Sequence, residues 1–284
     1  MLTDQQRDEF FERGFTRVAG ALPQHLAANM VSRIWRRLGE GHGMHRNDAA
    51  TWIEGGVRGI GNLNREPPFR PFGSPAIVSV IDDLLGKGNW QQPSSWGQVL
   101  ATFPATEWSW NSLFQRRVEV SAITWHTDYP YDTPPAELSG VQIFCLLADL
   151  EPGGGGTLVI EGAHRAVRNF VMTASSETLH KMKRARVAFL NSHPWLQSVS
   201  KAPSEPRPEV WITEQRAVID GIAVAVAELT GNACDVYFTH PWLLHAPSPN
   251  CNSTPRLMCT QRIRTLSDGG PHNMRMQPTG FAGG

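Results

Sequence analysis

In "WHTDYPY", residues 125–131, a histidine and an aspartate stand two positions apart between aromatic side chains. In an extended strand, residues i and i+2 project to one side with Cα atoms roughly 6 to 7 Å apart, so His126 and Asp128 can converge on one point while Thr127 faces away. On a helix the same spacing turns the two side chains to nearly opposite faces; the run "SAITWHTD" favours the strand. A His-x-Asp pair alone is common, and metal binding needs a third ligand. "GNACDVYFTHPWLLHAPSPNCNSTPR" offers His240 and His245, which differ in strand parity and are separated by Pro241, so at most one of them faces a pocket shared with His126. Two imidazoles and one carboxylate on one face of a metal leave its other face open, an arrangement suited to Fe(II) and O2 chemistry. The absence of cysteine from the set argues against a structural zinc. His164 in "EGAHR" and His193 in "SHPW" follow turn residues without a partner at ligand spacing and read as structural.

Arg256 lies eleven residues after His245, at the start of the apolar run "LMC". A strand beginning there carries its guanidinium inward beside the metal, where it needs an anion. Arginine suits a bidentate carboxylate, so a dicarboxylate that chelates the metal at one end could end on Arg256 at the other.

These residues need a scaffold, and the chain supplies a β-rich one. From about residue 96, the runs "WGQVLATF", "VSAITWHTD", "GVQIFCLLADL", "GTLVIEG", "AVAVAEL", "ACDVYFTH" and "RLMCTQRI" are short β-branched or aromatic segments between turn residues, which predicts an antiparallel sandwich or barrel. Helical decoration is expected near residues 175–200, where Lys181, Lys183, Arg184 and Arg186 read as a solvated face. Before the β region, Thr3 and Gln6 form a capping box for a helix that Gly14 ends. "FTRVAGAL" reads as a short strand, and Leu26, Met30, Ile34 and Leu38 mark an amphipathic helix after Pro23. Residues 39–75 show no sustained period and read as irregular chain over the core. The glycines of "GGVRGIGN" miss the dinucleotide-binding spacing.

Composition narrows the partner. The 284 residues carry 26 Lys plus Arg and 26 Asp plus Glu, so no cationic excess is available for nucleic acid or an anionic membrane, and a small molecule is the expected partner. No apolar stretch is long enough to span a bilayer and the N-terminus lacks a signal-peptide pattern, which leads us to expect a cytoplasmic protein. Cys145, Cys234, Cys251 and Cys259 form no CxxC pair and read as reduced thiols.

The order "WHTD", "PGGGGTLVIEGAHR", "GNACDVYFTHPWLLHAPSPN", "PR", with the opening "LTDQQRDEFFERGFTRVAGAL", resembles the phytanoyl-CoA dioxygenase family of Fe(II)- and 2-oxoglutarate-dependent oxygenases over residues 2–265. The resemblance implies a double-stranded β-helix, a jelly-roll or cupin-like core, in one oxygenase domain. Residues 1–95 would pack on the barrel, 96–265 would form the core with a helical insertion near 175–200, and 266–284 would be a tail. It implies that His126, Asp128 and His245 hold iron and that Arg256 holds the distal carboxylate of 2-oxoglutarate. Phe144 falls where the family has an aromatic wall against the cosubstrate, Thr157 faces the same region, and Gln98 is a further candidate for cosubstrate or substrate. The family's Gly-Asp turn before the distal strand reads "GNACD" here.

The chemistry so implied is oxidation of a C–H bond by O2, with 2-oxoglutarate converted to succinate and CO2. Hydroxylation is the usual outcome; desaturation, epimerisation and ring closure belong to the same chemistry. The carboxylate of Asp128 argues against halogenation, which needs room for a halide there. Trp125, Tyr129 and Tyr131 border the metal in sequence and are candidates for the substrate pocket wall, the substrate being a small, biosynthetic metabolite. The rival readings are a cupin-like metal hydrolase or isomerase and a non-catalytic ligand-binding barrel. Arg256 argues against the first, since a hydrolase has no need of a second carboxylate; the second would tolerate loss of any of the three ligands, and all three are present.

Overall fold

The computed structural model describes residues 1–105, 123–131, 138–201 and 208–266. Helix α1 (Asp4–Arg13) opens with the reciprocal Thr3–Gln6 capping box and ends at Gly14, whose φ of 88° is left-handed. A side chain at Gly14 would also place its Cβ 2.5 Å from His164 Nδ1, so both backbone and space call for glycine. Strand β1 (Phe15–Val18) follows. Helix α2 (Gln24–His42) buries Ala27, Met30, Val31, Ile34 and Leu38, the stripe its sequence period requires. Helix α3 (Pro75–Leu85) was not evident from the sequence pattern; it is capped by Ser74 and has proline at its first turn, the position that tolerates a missing N–H. Between α2 and α3, short 3-10 turns and the two-residue strand β2 (Gly55–Gly56) occupy the segment expected to be irregular.

The core is a jelly-roll sandwich. Strands β3 (Gln98–Phe103), β4 (Gly140–Leu146), β8 (Val236–Thr239) and β10 (Arg256–Arg264) join β1 and β2 in a six-stranded sheet of order β1-β8-β4-β10-β3-β2. Strands β5 (Thr157–Glu161), β6 (Arg216–Ile219), β7 (Ile222–Leu229) and β9 (His245–Ala246) form a four-stranded sheet of order β6-β7-β5-β9. Every strand pair is antiparallel. Alternation sorts the side chains into layers: Val99, Ala101, Val141, Ile143, Cys145, Val236, Phe238, Leu257 and Cys259 pack under α1 to α3. The opposite faces of these strands, with Phe144, Leu146, Tyr237 and Met258, meet Val159 and Leu229 of the second sheet.

The second sheet's outer face is covered by helices that begin at Ala163, earlier than the insertion expected near residue 175, and continue as short helices to Glu214. Ala163, Ala166, Val167, Ala185, Phe189, Leu196 and Val199 form that cover. His164 lies on the first of these helices and is buried there. His193 caps the helix Pro194–Val199 through its ring nitrogen. Among the described residues, no helix is long and apolar enough to cross a membrane, and Cys145, Cys234 and Cys259 are free thiols.

Candidate metal centre

Of the run "VSAITWHTD", residues 120–122 lie outside the described chain. From Ile123 onward it is not the regular strand its sequence suggests: the only strand pairing among the described residues is a single antiparallel bridge, His126 with His245. The backbone turns locally, with Trp125 N–H donating to the carbonyl of Ile123 at 3.0 Å. The alternation persists without a ladder: Ile123, Trp125, Thr127, Tyr129 and Tyr131 are buried, while Thr124, His126, Asp128 and Pro130 face the other way. His126 and Asp128 therefore share a side, as two-residue spacing requires.

Backbone bonds fix the position of the third residue. His126 N–H donates to the carbonyl of His245 and His245 N–H to the carbonyl of His126, both at 2.9 Å. The imidazole centroids lie 4.3 Å apart. Each ring spends its Nδ1 on a carbonyl two residues earlier in its own chain, His126 on Thr124 at 2.9 Å and His245 on Leu243 at 3.1 Å. That bond selects the tautomer whose Nε2 carries a lone pair, as the backbone carbonyl partners of metal-binding histidines do. Nε2 of His245 lies 3.6 Å from Oδ2 of Asp128. One donor atom each from His126, Asp128 and His245 falls within a mutual 4.8 Å, a donor set of two nitrogens and one oxygen that fits a divalent transition metal.

The electrostatics are those of a cation site. Burial, and then the neighbouring His245 ring, push the His126 imidazole down to about 4. Burial opposes ionisation of Asp128, but its contact with His245 and the charge of Arg262 outweigh it and hold the carboxyl well below its usual range. Both shifts favour the protonation states that bind metal: neutral imidazole and carboxylate. His240 is turned elsewhere. Its Nδ1 accepts from Trp242 N–H, and its ring stacks on His164 at 4.7 Å beside Phe10 of α1.

Arg256 points into the sandwich from the first residue of β10 and is buried. Its Nη2 donates to Thr102 Oγ1 at 2.6 Å, and its buried Nε has no hydrogen-bond partner among the described residues. Burial pushes the guanidinium down to about 10, opposed in part by the charge of Glu228. Glu228 spends both oxygens on the amides of Gly153 and Gly156, fixing the glycine turn that leads into β5. A side chain at Gly156 would drive its Cβ to 2.6 Å from the Glu228 side chain.

Phe144 packs edge-on against His245 at 5.5 Å. Thr157 is buried at the start of β5, its hydroxyl 4.0 Å from Met258 Sδ. Gln98 stands exposed at the outer end of β3, opposite Thr260. Trp125, Tyr129 and Tyr131, the aromatic residues expected at a substrate pocket wall, are all buried. Tyr129 is fully buried with its hydroxyl on the carbonyls of Val141 and Ile263, and Trp125 donates from Nε1 to the carbonyl of Val199. Tyr131 packs edge-on against Trp242. Odd-numbered parity sends all three into the core, on the side away from His126 and Asp128.

Two residues near the centre escaped the sequence reading. Arg262 places Nη1 3.6 Å from Oδ1 of Asp128. Gln142, buried on β4 directly across from Arg262, donates to Thr260 Oγ1 at 2.6 Å. Both share Arg256's strand face or its cross-strand partner, so even spacing from Arg256 along "RLMCTQR" was the available signal. The turn "GNACD" accommodates its extra residues by holding Cys234 at a left-handed φ of 76°, while Asp235 accepts from the amides of Gly20 and Asn232.

No protein-family model matches the sequence, and no curated protein matches it. Solved structures do. The carbocyclase SnoK of nogalamycin biosynthesis, a non-haem α-ketoglutarate-dependent enzyme, superposes with a TM-score of 0.53 at 15% identity over 93% of this chain and 84% of SnoK. The epimerase SnoN, solved with Fe3+, α-ketoglutarate and nogalamycin RO, gives 0.52 at 16% identity over 92% and 82%. HygX from Streptomyces hygroscopicus, solved with nickel and 2-oxoglutarate, gives 0.52 at 13% identity over 93% and 87%. At these identities the likeness establishes architecture: the chain has the jelly-roll fold found in non-haem 2-oxoglutarate-dependent enzymes.

Proposed function

We propose that this protein is a single-domain Fe(II)- and 2-oxoglutarate-dependent oxygenase of the phytanoyl-CoA dioxygenase type, oxidising a C–H bond of a small biosynthetic metabolite. The observation that carries the reading is the pairing of two sites. One is a His-Asp-His cluster whose imidazoles are both committed through Nδ1 to backbone carbonyls; the other is a buried arginine on β10 with no carboxylate in hydrogen-bond contact among the described residues. A metal alone accounts for the first; a dicarboxylate that reaches from the metal to the guanidinium accounts for both.

In this reading His126 and His245 hold the metal through Nε2 and Asp128 through a carboxylate oxygen. Arg256, oriented by Thr102, binds the distal carboxylate of 2-oxoglutarate, and Phe144 and Thr157 shape the wall beside it. Iron and 2-oxoglutarate held there would activate O2, which is the oxidant: one oxygen atom would pass into succinate as CO2 leaves, and the other would oxidise the C–H bond. The chain's part is to hold the His126 imidazole neutral and Asp128 ionised, and to keep Arg256 buried. A hydrolase or isomerase reading leaves that arginine without a purpose, and the Asp128 carboxylate stands where a halogenating site would need a halide.

The test is anaerobic titration of the protein with Fe(II) and then 2-oxoglutarate, watching for the visible metal-to-ligand charge-transfer band, followed by a metabolite screen for succinate release. A band that forms in the wild type and is lost in His245→Ala supports the reading. Metal binding without any response to 2-oxoglutarate would leave the metal-only cupin in its place.

A further inference from the structure

The two oxygens of Asp128 have different neighbours. Oδ2 faces Nε2 of His245 at 3.6 Å, on the side where the three donor atoms converge. Oδ1 is turned the other way, 3.6 Å from Nη1 of Arg262. Strand β10 fixes this division, because Arg262 lies six residues beyond Arg256 on the same face and is paired across the sheet with Gln142. The Arg262 side chain is 44% exposed and that of Asp128 25% exposed. Among the described residues, Asp128 is the only acidic side chain within ion-pair distance of Arg262.

Neither of the ordinary reasons for an ion pair explains this contact. A half-exposed pair contributes little to stability, since solvent screens it and two long side chains must be ordered. Nor does it help a metal bind, because a guanidinium beside a metal ligand repels the ion it serves. What the contact does control is how many oxygens Asp128 can offer. A carboxylate binds a cation through one oxygen or through both. An octahedral ion with three protein donors keeps three open positions, and a second oxygen from Asp128 would take one of them. A cosubstrate that chelates through two atoms needs two positions, and a third must stay open for O2.

We infer that Arg262 is a positioning residue that engages Oδ1 of Asp128 and so restricts the aspartate to a single metal-ligating oxygen. The inference rests on the metal-centre reading above. Loss of the guanidinium frees Oδ1 to swing onto the metal, which closes one coordination position while removing a repelling charge. Two changes of opposite character follow: fewer exchangeable positions on the metal and a metal held at least as tightly. A residue needed only to keep the fold would weaken the metal site instead.

Mn(II) alone reads both, with no substrate and no turnover. Mn(II) affinity and water-proton relaxation are measured for the wild type, Arg262→Ala, Arg262→Gln, Arg262→Lys and His245→Ala, with thermal melts to check folding. Arg262→Ala and Arg262→Gln are expected to lose about a third of the bound-Mn(II) relaxation enhancement, as three coordinated waters become two, without weaker Mn(II) binding. Arg262→Lys, which keeps a cation beside Oδ1, is expected to retain most of it. Unchanged enhancement in both Arg262→Ala and Arg262→Gln, or Mn(II) binding weakened more than threefold in folded variants, would overturn the inference. If His245→Ala binds Mn(II) as well as the wild type does, it is the metal-centre reading that fails, and the inference falls with it.

Discussion

Replacing Arg256 with methionine should leave the ligand-free protein at least as stable as the wild type while abolishing the 2-oxoglutarate binding proposed above. The guanidinium is buried, makes one hydrogen bond to Thr102 and is pushed from 12.5 to about 10 by that burial. A shift of that size corresponds to about 3 kcal/mol against the charged form. Removing the charge recovers that penalty and forfeits a hydrogen bond to a charged donor, about 1.5 to 3 kcal/mol. The balance runs from about zero to a gain of about 1.5 kcal/mol, the upper part within the range that replacing buried charges by apolar groups yields. For a chain of this size the gain in Tm is at most about 2 to 3 °C. The opposite sign holds for the cosubstrate: stranding its carboxylate costs about 2 to 5 kcal/mol, or roughly 30-fold to several thousand-fold in Kd. Calorimetry of both proteins, with and without Mn(II) and 2-oxoglutarate, reads the two effects together. A methionine variant that is less stable than the wild type without ligand, or that binds 2-oxoglutarate within threefold of it, refutes the reasoning.

The other expectations concern the metal and the fold. His126→Ala, Asp128→Ala and His245→Ala should each lose Fe(II) in anaerobic titration, whereas His240→Ala should keep it; the reverse pattern for the two distal histidines would reassign the ligand. In the metal-free protein, burial lowers His126 and His164 from 6.5 to about 4, so the unfolded chain binds more protons between those values. Stability is then fully present above pH 6.5 and is lost as pH falls towards 4, by about 1.4 kcal/mol per pH unit for each group. Denaturant unfolding across that range should show the decline, and His164→Asn should make it shallower; equal slopes in the two proteins would remove His164 as a cause. Gly14→Ala meets a left-handed backbone and the His164 ring, and should cost about 2 to 3 kcal/mol in the same assay.

Legibility in the sequence followed whether the deciding physics was local. The capping box at Thr3, the stripe of α2 and the parity of β3, β4, β5, β8 and β10 are set by neighbours along the chain, and each could be read there. The sharing of a side by His126 and Asp128 is of the same kind, and it survives even though the segment is a bridge and not a strand. What could not be read depends on chain segments far apart. Tyr129 was expected at the metal's mouth because it follows Asp128, but its hydroxyl is claimed by carbonyls on β4 and β10. Arg262 becomes notable only once β10 is known to run past Asp128 on its inner face. The helix Ala163–Thr173 was obscured by its glycine-led start, where Gly162 at a left-handed φ of 74° replaces a side-chain cap.

The residues from His126 to Tyr129 cross from one sheet to the other. His126 is bonded through its backbone to His245 on β9 of the smaller sheet, and Tyr129 anchors its hydroxyl on β4 and β10 of the larger. Asp128 sits on the span between these moorings. Any widening or narrowing of the gap between the sheets is therefore transmitted to the distance between Asp128 and His245, and a metal held by the two would act as a gauge of that gap. Substitutions that loosen a mooring, such as Tyr129→Phe, would act on metal lability from behind the site without touching a ligand, and compression of the sandwich would do the same without changing any residue.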